Sequence, residues 1–317
     1  MLKQYSFSVR LYVAGINGMA GSAIACEARV QGYEVLGKSS KEMDFTYREG
    51  TFEEMHVAKP DLLIIAAAKV GGIGANSAMP VDFLSINLQI QTNLLDAAYA
   101  SNIAKVLFLG SSCIYPKFAP QPISESALLT GELEPTNEAY GIAKIAGLKL
   151  VEAYRRQFAR HWISAMPTNL YGPGDNFNLE TAHVLPALIH RFHNAKVNGD
   201  LKVEIWGDGT PLREFLFVED FARACLLLLD EYDDSIAINV GSGQEITIIN
   251  LAHLIAKVIG FEGEITFNIE RPNGTPRKLL DSTRILKLGW SPSVKLEDGI
   301  ASTYDWFLDY YIKGSIS

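Results

Sequence analysis

Cysteine is scarce in this chain. Three of 317 residues carry a thiol, Cys26, Cys113 and Cys225, far apart and with no CxxC spacing. That pattern argues against a disulfide framework or a structural zinc site, and a reducing, cytoplasmic setting is expected. Long apolar runs are missing too. No stretch approaches the roughly 18 residues that a membrane-spanning helix requires, so no membrane partner is expected. Positive charge is in deficit, with 28 Lys and Arg against 36 Asp and Glu and a formal net charge of −8. Nucleic acid is therefore a poor partner, because a phosphate backbone demands a basic face. A phosphorylated small molecule held by a few local cations remains compatible. Repeats, low-complexity tracts and flexible linkers are all absent, and the composition is that of a globular protein with one large or two unequal domains.

What is present centres on Gly110 to Lys144. The run KVLFLG (Lys105 to Gly110) reads as a buried strand, and GSSCIYP follows it. Ser111, Ser112 and Cys113 then stand at the strand's carboxyl end, where open α/β sheets place their ligands. Tyr140 and Lys144, in YGIAK, are spaced i, i+4 in a predicted helix, which puts phenol and ammonium on one face. The nearby cation is expected to lower the phenol's pKa by roughly 1–3 units, towards useful acid–base work.

The chain before that centre alternates strand and helix. VRLYVAG (Val9 to Gly15) is a predicted strand, Met19 to Val30 a helix, and Gly15, Gly18 and Gly21 punctuate the turn between them. Glycines there permit a tight turn and close approach of backbone to a pyrophosphate, at a helix N-terminus with free amides. The second strand, Tyr33 to Gly37, ends without a carboxylate for a ribose; Lys38, Ser39, Ser40 and Lys41 follow, which favours the 2′-phosphate of NADP. Asp44 comes late enough to face the adenine. Asp61 to Lys69 reads as a third strand running into a GGIGAN loop, Val81 to Ala100 as a helix and Trp162 to Pro167 as a further strand. The predicted fold is therefore α/β, a Rossmann-type doubly wound parallel sheet.

Beyond Pro167 the pattern changes to a turn-rich loop, PTNLYGPGDNF, and then to periodic segments at Ala182 to Ala195, Ile246 to Ile259 and Ala301 to Tyr311, with a strand at Glu264 to Asn268. Val203 to Ala224 brings a Trp, an Arg and glycines to where the chain should cross the cleft. A smaller C-terminal α/β lobe is expected to close over the nucleotide. Residues 1–167 with about 214–240 form the expected cofactor domain, and 168–213 with 241–317 the substrate lobe. His183, His190 and His193 share one segment, but their spacing and the lack of paired carboxylates argue against a metal; His190 and His193 read as surface residues.

The Gly-x-x-Gly-x-x-Gly turn, the Ser and the Tyr-x3-Lys resemble the extended short-chain dehydrogenase/reductase superfamily. The blocks GSSCIYPK, LEPTNEAYGIAKIAGLKL, MPTNLYGPGDNF, WGDGTPLREFLFVED and GTPRKLLD are more narrowly similar to its GDP-L-fucose synthase family, NADPH-dependent 3,5-epimerase/4-reductases of GDP-4-keto-6-deoxy-D-mannose. The resemblance implies that Ser111, Tyr140 and Lys144 serve a reduction, and Cys113 and His183 two epimerisations. It implies NADP contacts from Gly15, Asn17, Gly18, Met19 and Gly21 and from Lys38, Ser39 and Asp44. Further cofactor contacts are implied at Ala66, Ala67 and Ala68, at Leu109, Gly110 and Ser112, and at Pro167, Thr168, Asn169, Leu170 and His183. A GDP-sugar is assigned to Ser112, Cys113, Asn169, His183, Val184, Arg191, Trp206, Arg213 and Asn273. Asn17 stands where some members have a basic residue, and Asn273 where an Asp precedes Gly274. A homodimer through helices at about 81–100 and 137–159 is also implied.

The residue types suit that chemistry. A C4 ketone acidifies the C–H bonds at both C3 and C5, and donors on its oxygen, Tyr140 and Ser111, stabilise the enolate of each inversion and the alkoxide of the reduction. Inversion needs one group to remove a proton and another to supply one on the opposite face; Cys113 is read as base and His183 as acid. Alternatives stay open at this point: a related reductase making colitose, a nucleotide-sugar 4,6-dehydratase or 4-epimerase, or a non-enzymatic NADP sensor.

Overall fold

The computed structural model describes residues 8–271 and 273–312, the side chains of the last two excepted. The first half of the chain runs β1 (Arg10–Ala14), α1 (Met19–Val30), β2 (Glu34–Leu36), α2 (Arg48–Ala58), β3 (Leu62–Ile65), α3 (Ile73–Ala78), α4 (Pro80–Ala100), β4 (Lys105–Leu109), α5 (Glu138–Phe158) and β5 (Ile163–Pro167). The second half runs β6 (Asn169–Tyr171), α6 (Val184–Asn198), β7 (Lys202–Trp206), β8 (Leu212–Phe217), α7 (Val218–Glu231) and β9 (Ile238–Val240). It ends with β10 (Glu245–Thr247), α8 (Ile248–Ile259), β11 (Glu264–Asn268), β12 (Arg277–Lys278), α9 (Thr283–Lys287) and α10 (Leu296–Ile312).

Six strands form one parallel sheet in the order β2-β1-β3-β4-β5-β9. Successive side chains of a strand point to opposite faces, so a sheet covered on both sides needs unbroken apolar strands. In β4, Val106 and Phe108 enter one core while Leu107 and Leu109 enter the other; in β1, Tyr12 and Ala14 divide from Leu11 and Val13 in the same way. Helices α2, α4 and α5 pack together over the first face, and α1 with α7 over the second. The strand order reverses beside β1, between β1 and β3, which is where such sheets open a crevice at their carboxyl edge. The fold class expected from sequence is the observed one.

A third core gathers α6, α8 and α10 against β7, β8 and β11. Here β8 is flanked by antiparallel β10 and parallel β12, with β6 paired to β8 as well. Several local readings change. The segment read as one crossing, Val203 to Ala224, resolves into β7, β8 and the start of α7, whose apolar face, Cys225 included, is buried under the large sheet. Helix α8 begins at Ile248 because Glu245–Thr247 pairs with β8 and Thr247 Oγ1 caps the helix by accepting from the Asn250 N–H at 3.3 Å. The GGIGAN loop contains the short α3, and α10 starts earlier, at Leu296. The reading of His193 as a surface residue is wrong: it is buried, its Nδ1 sits 2.9 Å from the Tyr304 hydroxyl and its ring meets Phe307 edge-on. His190 is partly buried against the Phe177 carbonyl at 2.7 Å.

Candidate active site

The glycine turn after β1 is tight because it must be. Gly15 has φ +87°, and a Cβ there would lie 2.7 Å from the Ala67 nitrogen. A Cβ on Gly21 would drive into the Gly15 carbonyl, so the third glycine is what lets α1 seat on the turn. Gly18 caps α1 with no side chain bonded to its first amides, and Asn17 is exposed beside it. Free amides at a helix N-terminus and backbone bare of Cβ atoms fit a pyrophosphate. Gly15 lies against Ala66 and Ala67 at this edge, and Ala68 follows them in the loop after β3. Past β2, Lys38 pairs with Glu54, the Ser39 hydroxyl donates to Glu42 at 2.6 Å, and Asp44 holds both the amide and the hydroxyl of Thr46.

At the carboxyl end of β4, Ser111 Oγ accepts from the Cys113 N–H at 3.2 Å and so fixes the short helical turn Ser112–Ile114. Gly141 permits α5 to approach, since a Cβ there would lie 2.8 Å from the Cys113 carbonyl. Tyr140 is hydrogen-bonded to Ser111 and lies edge-on to Phe83. Lys144 is buried, donates to the Leu109 carbonyl at 2.8 Å, and places its ammonium 5.0 Å from the Phe108 ring centre and 5.7 Å from that of Tyr140. Burial pulls the Lys144 pKa down to about 8. The expectation of a depressed Tyr140 pKa is corrected here. Burial pushes the phenol up, the charge of Cys113 adds to that, and the Ser111 bond only partly opposes it. A phenol held protonated is a proton donor, and that suits a reduction.

Across from Tyr140, the Cys113 sulfur receives the Asn137 amide and the Lys278 ammonium, each at 3.3 Å. His183 is the N-cap of α6; its ring is solvent-accessible yet set deep among protein atoms, and desolvation with the Lys278 charge lowers its pKa. The turn carrying His183 is tied to the loop after β3, where the Gly72 N–H donates to the Thr181 carbonyl at 2.8 Å. Pro167 ends β5; Thr168 and Asn169 both donate side-chain hydrogens to the Glu214 carbonyl, and Leu170 follows in β6.

Farther out, Trp206 is 42% exposed, with the guanidinium of Arg191 5.2 Å from its ring centre and that of Arg271 4.9 Å. A flat ring left open between two cations suits a base or a diphosphate. Arg213 donates to the Asn273 carbonyl at 3.3 Å, and Asn273 Oδ1 accepts from the Asp208 N–H at 3.0 Å, which joins the loops after β7 and β11. Burial lowers the Arg213 pKa against the charges of Cys113 and Glu134.

The model of the family described as "NAD dependent epimerase/dehydratase family" matches residues 11–241. The chain belongs to that family. Its similarity to individual members extends over nearly its whole length. It is 55% identical over 302 residues to GDP-L-fucose synthase 1 of Arabidopsis thaliana, covering 95% of this chain and 94% of that one. It is 47% identical over 310 residues to GDP-L-fucose synthase of Escherichia coli, covering 95% and 97%. Among solved structures, a GDP-L-fucose synthetase from Naegleria fowleri bound to NADP superposes with a TM-score of 0.89 at 26% identity, covering 99% and 98%.

As an epimerase/dehydratase family member the chain shows three partners that spacing did not single out. Lys278 and Asn137 meet at the Cys113 sulfur, and Arg271 meets Trp206. The first two lie inside the blocks GTPRKLLD and LEPTNEAYGIAK. Nothing in either block's periodicity reveals that the chain folds them onto one atom.

Proposed function

We propose that this chain converts GDP-4-keto-6-deoxy-D-mannose to GDP-L-fucose, inverting C3 and C5 and then reducing C4 with NADPH. The observation that carries the reading is the convergence on one cleft of a protonated phenol, a serine, a thiol and an imidazole. Ser111 and Tyr140 hold the C4 oxygen as negative charge develops on it. Cys113 removes the proton from C3 and from C5 in turn, and His183 returns one on the opposite face. NADPH supplies hydride to C4. Tyr140 gives its proton to the resulting alkoxide, and Lys144 keeps a positive charge near the phenolate left behind.

Gly15, Asn17, Gly18, Met19 and Gly21 receive the pyrophosphate in this reading, and Lys38, Ser39 and Asp44 flank the adenosine end, where Lys38 exchanges Glu54 for the 2′-phosphate. Arg191, Trp206, Arg213 and Asn273 take the GDP. Residues 1–167 with about 214–240 act as the cofactor lobe, and 168–213 with 241–317 as the substrate lobe. We also infer a cytoplasmic homodimer through α4 and α5. Val81 and Ile142, exposed on those helices, support the pairing, and the free thiols of Cys26 and Cys113 suit a reducing compartment.

The test is incubation with NADPH and GDP-4-keto-6-deoxymannose in deuterated water. Solvent deuterium at both C3 and C5 of the product, with loss of NADPH absorbance, is expected. Oxidation of NADPH without label at either carbon would reduce the activity to a plain ketoreductase. No oxidation would remove the reading altogether.

A further inference from the structure

We propose that Lys278, assisted by Asn137, is a positioning residue that holds the Cys113 sulfur as the thiolate from which both inversions start. The proposal rests on the reading of Cys113 as the epimerising base, and it names what makes that base. Two observations point to it. The sulfur is approached by two hydrogen-bond donors, the Lys278 ammonium and the Asn137 amide, both at 3.3 Å. An ammonium has no acceptor to offer a thiol hydrogen and pairs with a negative sulfur. Secondly, among the described residues no carboxylate forms an ion pair with Lys278, although Arg277 and Lys117 nearby each find one. Arg277, the preceding residue on β12, is bonded to Glu245 at 2.9 Å on the other face of the strand, and Lys117 is bonded to Glu134 at 2.9 Å. Strand alternation therefore turns Lys278 into the cleft, and the pairing of β12 with β8 sets it beside Arg213.

The surroundings of the sulfur favour the charged form further. Arg213 stands beside Lys278 on the paired strand β8, Glu134 is neutralised by Lys117, and the Tyr140 phenol from α5, held protonated by burial, brings no charge. Positive charge around the sulfur thus exceeds negative charge, the setting in which thiolates are stable and reactive. Burial, with the same ammonium adding to it, lowers the His183 pKa, so an imidazolium there releases its proton readily.

In the step served, a sulfur lone pair forms an S–H bond with the proton of C3 or C5, and the C–H electron pair moves onto the C4 oxygen as an enolate. His183 then gives a proton to the opposite face, and the enolate pair forms the new C–H bond. The proton count is restored when Cys113 releases its proton and His183 regains one.

The test uses the full chain with Lys278→Met and Lys278→Arg. The probe is iodoacetamide, whose iodide leaves as the S–C bond forms, and the rate at Cys113 is followed by peptide mass spectrometry from about pH 6 to about pH 9. Cys26, exposed and distant, is the internal reference. Lys278→Met is expected to slow alkylation of Cys113 by about tenfold or more at neutral pH and to move its pH profile to the alkaline side. Cys26 should be unchanged, and Lys278→Arg should stay within about threefold of the wild type. Solvent-deuterium incorporation per NADPH oxidised should fall with the alkylation rate.

An unchanged Cys113 profile in Lys278→Met overturns the proposal, as does equal impairment of the Met and Arg variants. If Lys278→Met fails to bind NADPH, Lys278→Gln carries the same readout. The two readings fail separately. A wild-type protein that shows the Lys278-dependent alkylation but turns over no substrate loses the proposed activity and keeps the thiolate device. Normal turnover with alkylation indifferent to Lys278 does the reverse.

Discussion

Two lysines approach the active site, and their settings could hardly differ more. Lys144 lies buried between β4 and α5, bonded to a backbone carbonyl and facing two aromatic rings. Lys278 lies half-buried on the short β12, brought to the sulfur of Cys113 from another sheet. The first belongs to a dry pocket built within the large sheet and its own crossover helix. The second depends on pairing between segments that lie 165 residues apart. The side of the cleft assigned to hydride and phenol is thus preassembled, while the side assigned to carbon acid chemistry exists only when the small sheet is in register. Damage to either side should leave a different residue of function.

The largest effect is expected from Tyr140→Phe. Loss of the donor phenol should cut NADPH oxidation by about 10³-fold while NADPH binding, followed by fluorescence, stays near the wild type; turnover at the normal rate would take Tyr140 out of the mechanism. Cys113→Ser should break the other side alone. Ketone reduction should persist, the product keeping its original C3 and C5 configuration, and incorporation of solvent deuterium should fall by about 10²-fold. A product indistinguishable from the wild type by NMR would remove Cys113 from the epimerisations.

Lys144 offers a sharper contrast, because its burial opposes folding. With its pKa at about 8 against an ordinary 10.5, the charged form is disfavoured in the folded state. The unfolded chain then binds the extra proton between those values, so stability rises as pH climbs from about 8 to about 10.5. Below pH 8 the net penalty is about 3 kcal/mol. Lys144→Met should therefore raise the thermal midpoint at pH 7 while abolishing most reductase activity, and NADPH oxidation by the wild type should decline as pH rises through about 8.

Asp175 provides the smallest and most local test. One oxygen accepts from the Asn176 N–H at 2.7 Å, the other is buried without a partner among the described residues, and burial lifts the pKa to about 7. A raised carboxyl pKa gives stability that is present below about pH 4 and lost as pH rises through 7. Asp175→Asn should stabilise the protein by about 1–2 kcal/mol at pH 8, by about a third of that at pH 5 and hardly at all below about pH 4, read as the difference in thermal midpoints.

The legible parts of this molecule are those encoded by neighbours in sequence. The run from Lys105 to Cys113 and the Tyr140–Lys144 spacing could be read because a buried parallel strand needs unbroken apolar residues and a helix repeats every turn. Gly15, Gly18 and Gly21 were legible for the same reason, since their roles are set by one turn. Lys278 was not, because its partner sulfur is supplied by tertiary packing and nothing local marks it. The buried His193 misled because a polar residue on a helix reads as exposed until the Tyr304 of a distant helix appears over it. The Tyr140 pKa misled because spacing gives the neighbouring charge and says nothing of desolvation, which outweighs it.

The return of the chain to place β9 at the edge of the large sheet, after β6, β7 and β8 have already built elsewhere, has an architectural consequence. The molecule is stitched across its own cleft more than once, so no single cut yields two self-sufficient fragments. A truncation after Pro167 would strip the large sheet of its border strand and of α7, exposing the apolar surface that Phe221, Leu226 and Leu229 cover. Any opening of the cleft must flex several crossings in concert, as a book bound along its whole spine opens, and cannot swing on one thread.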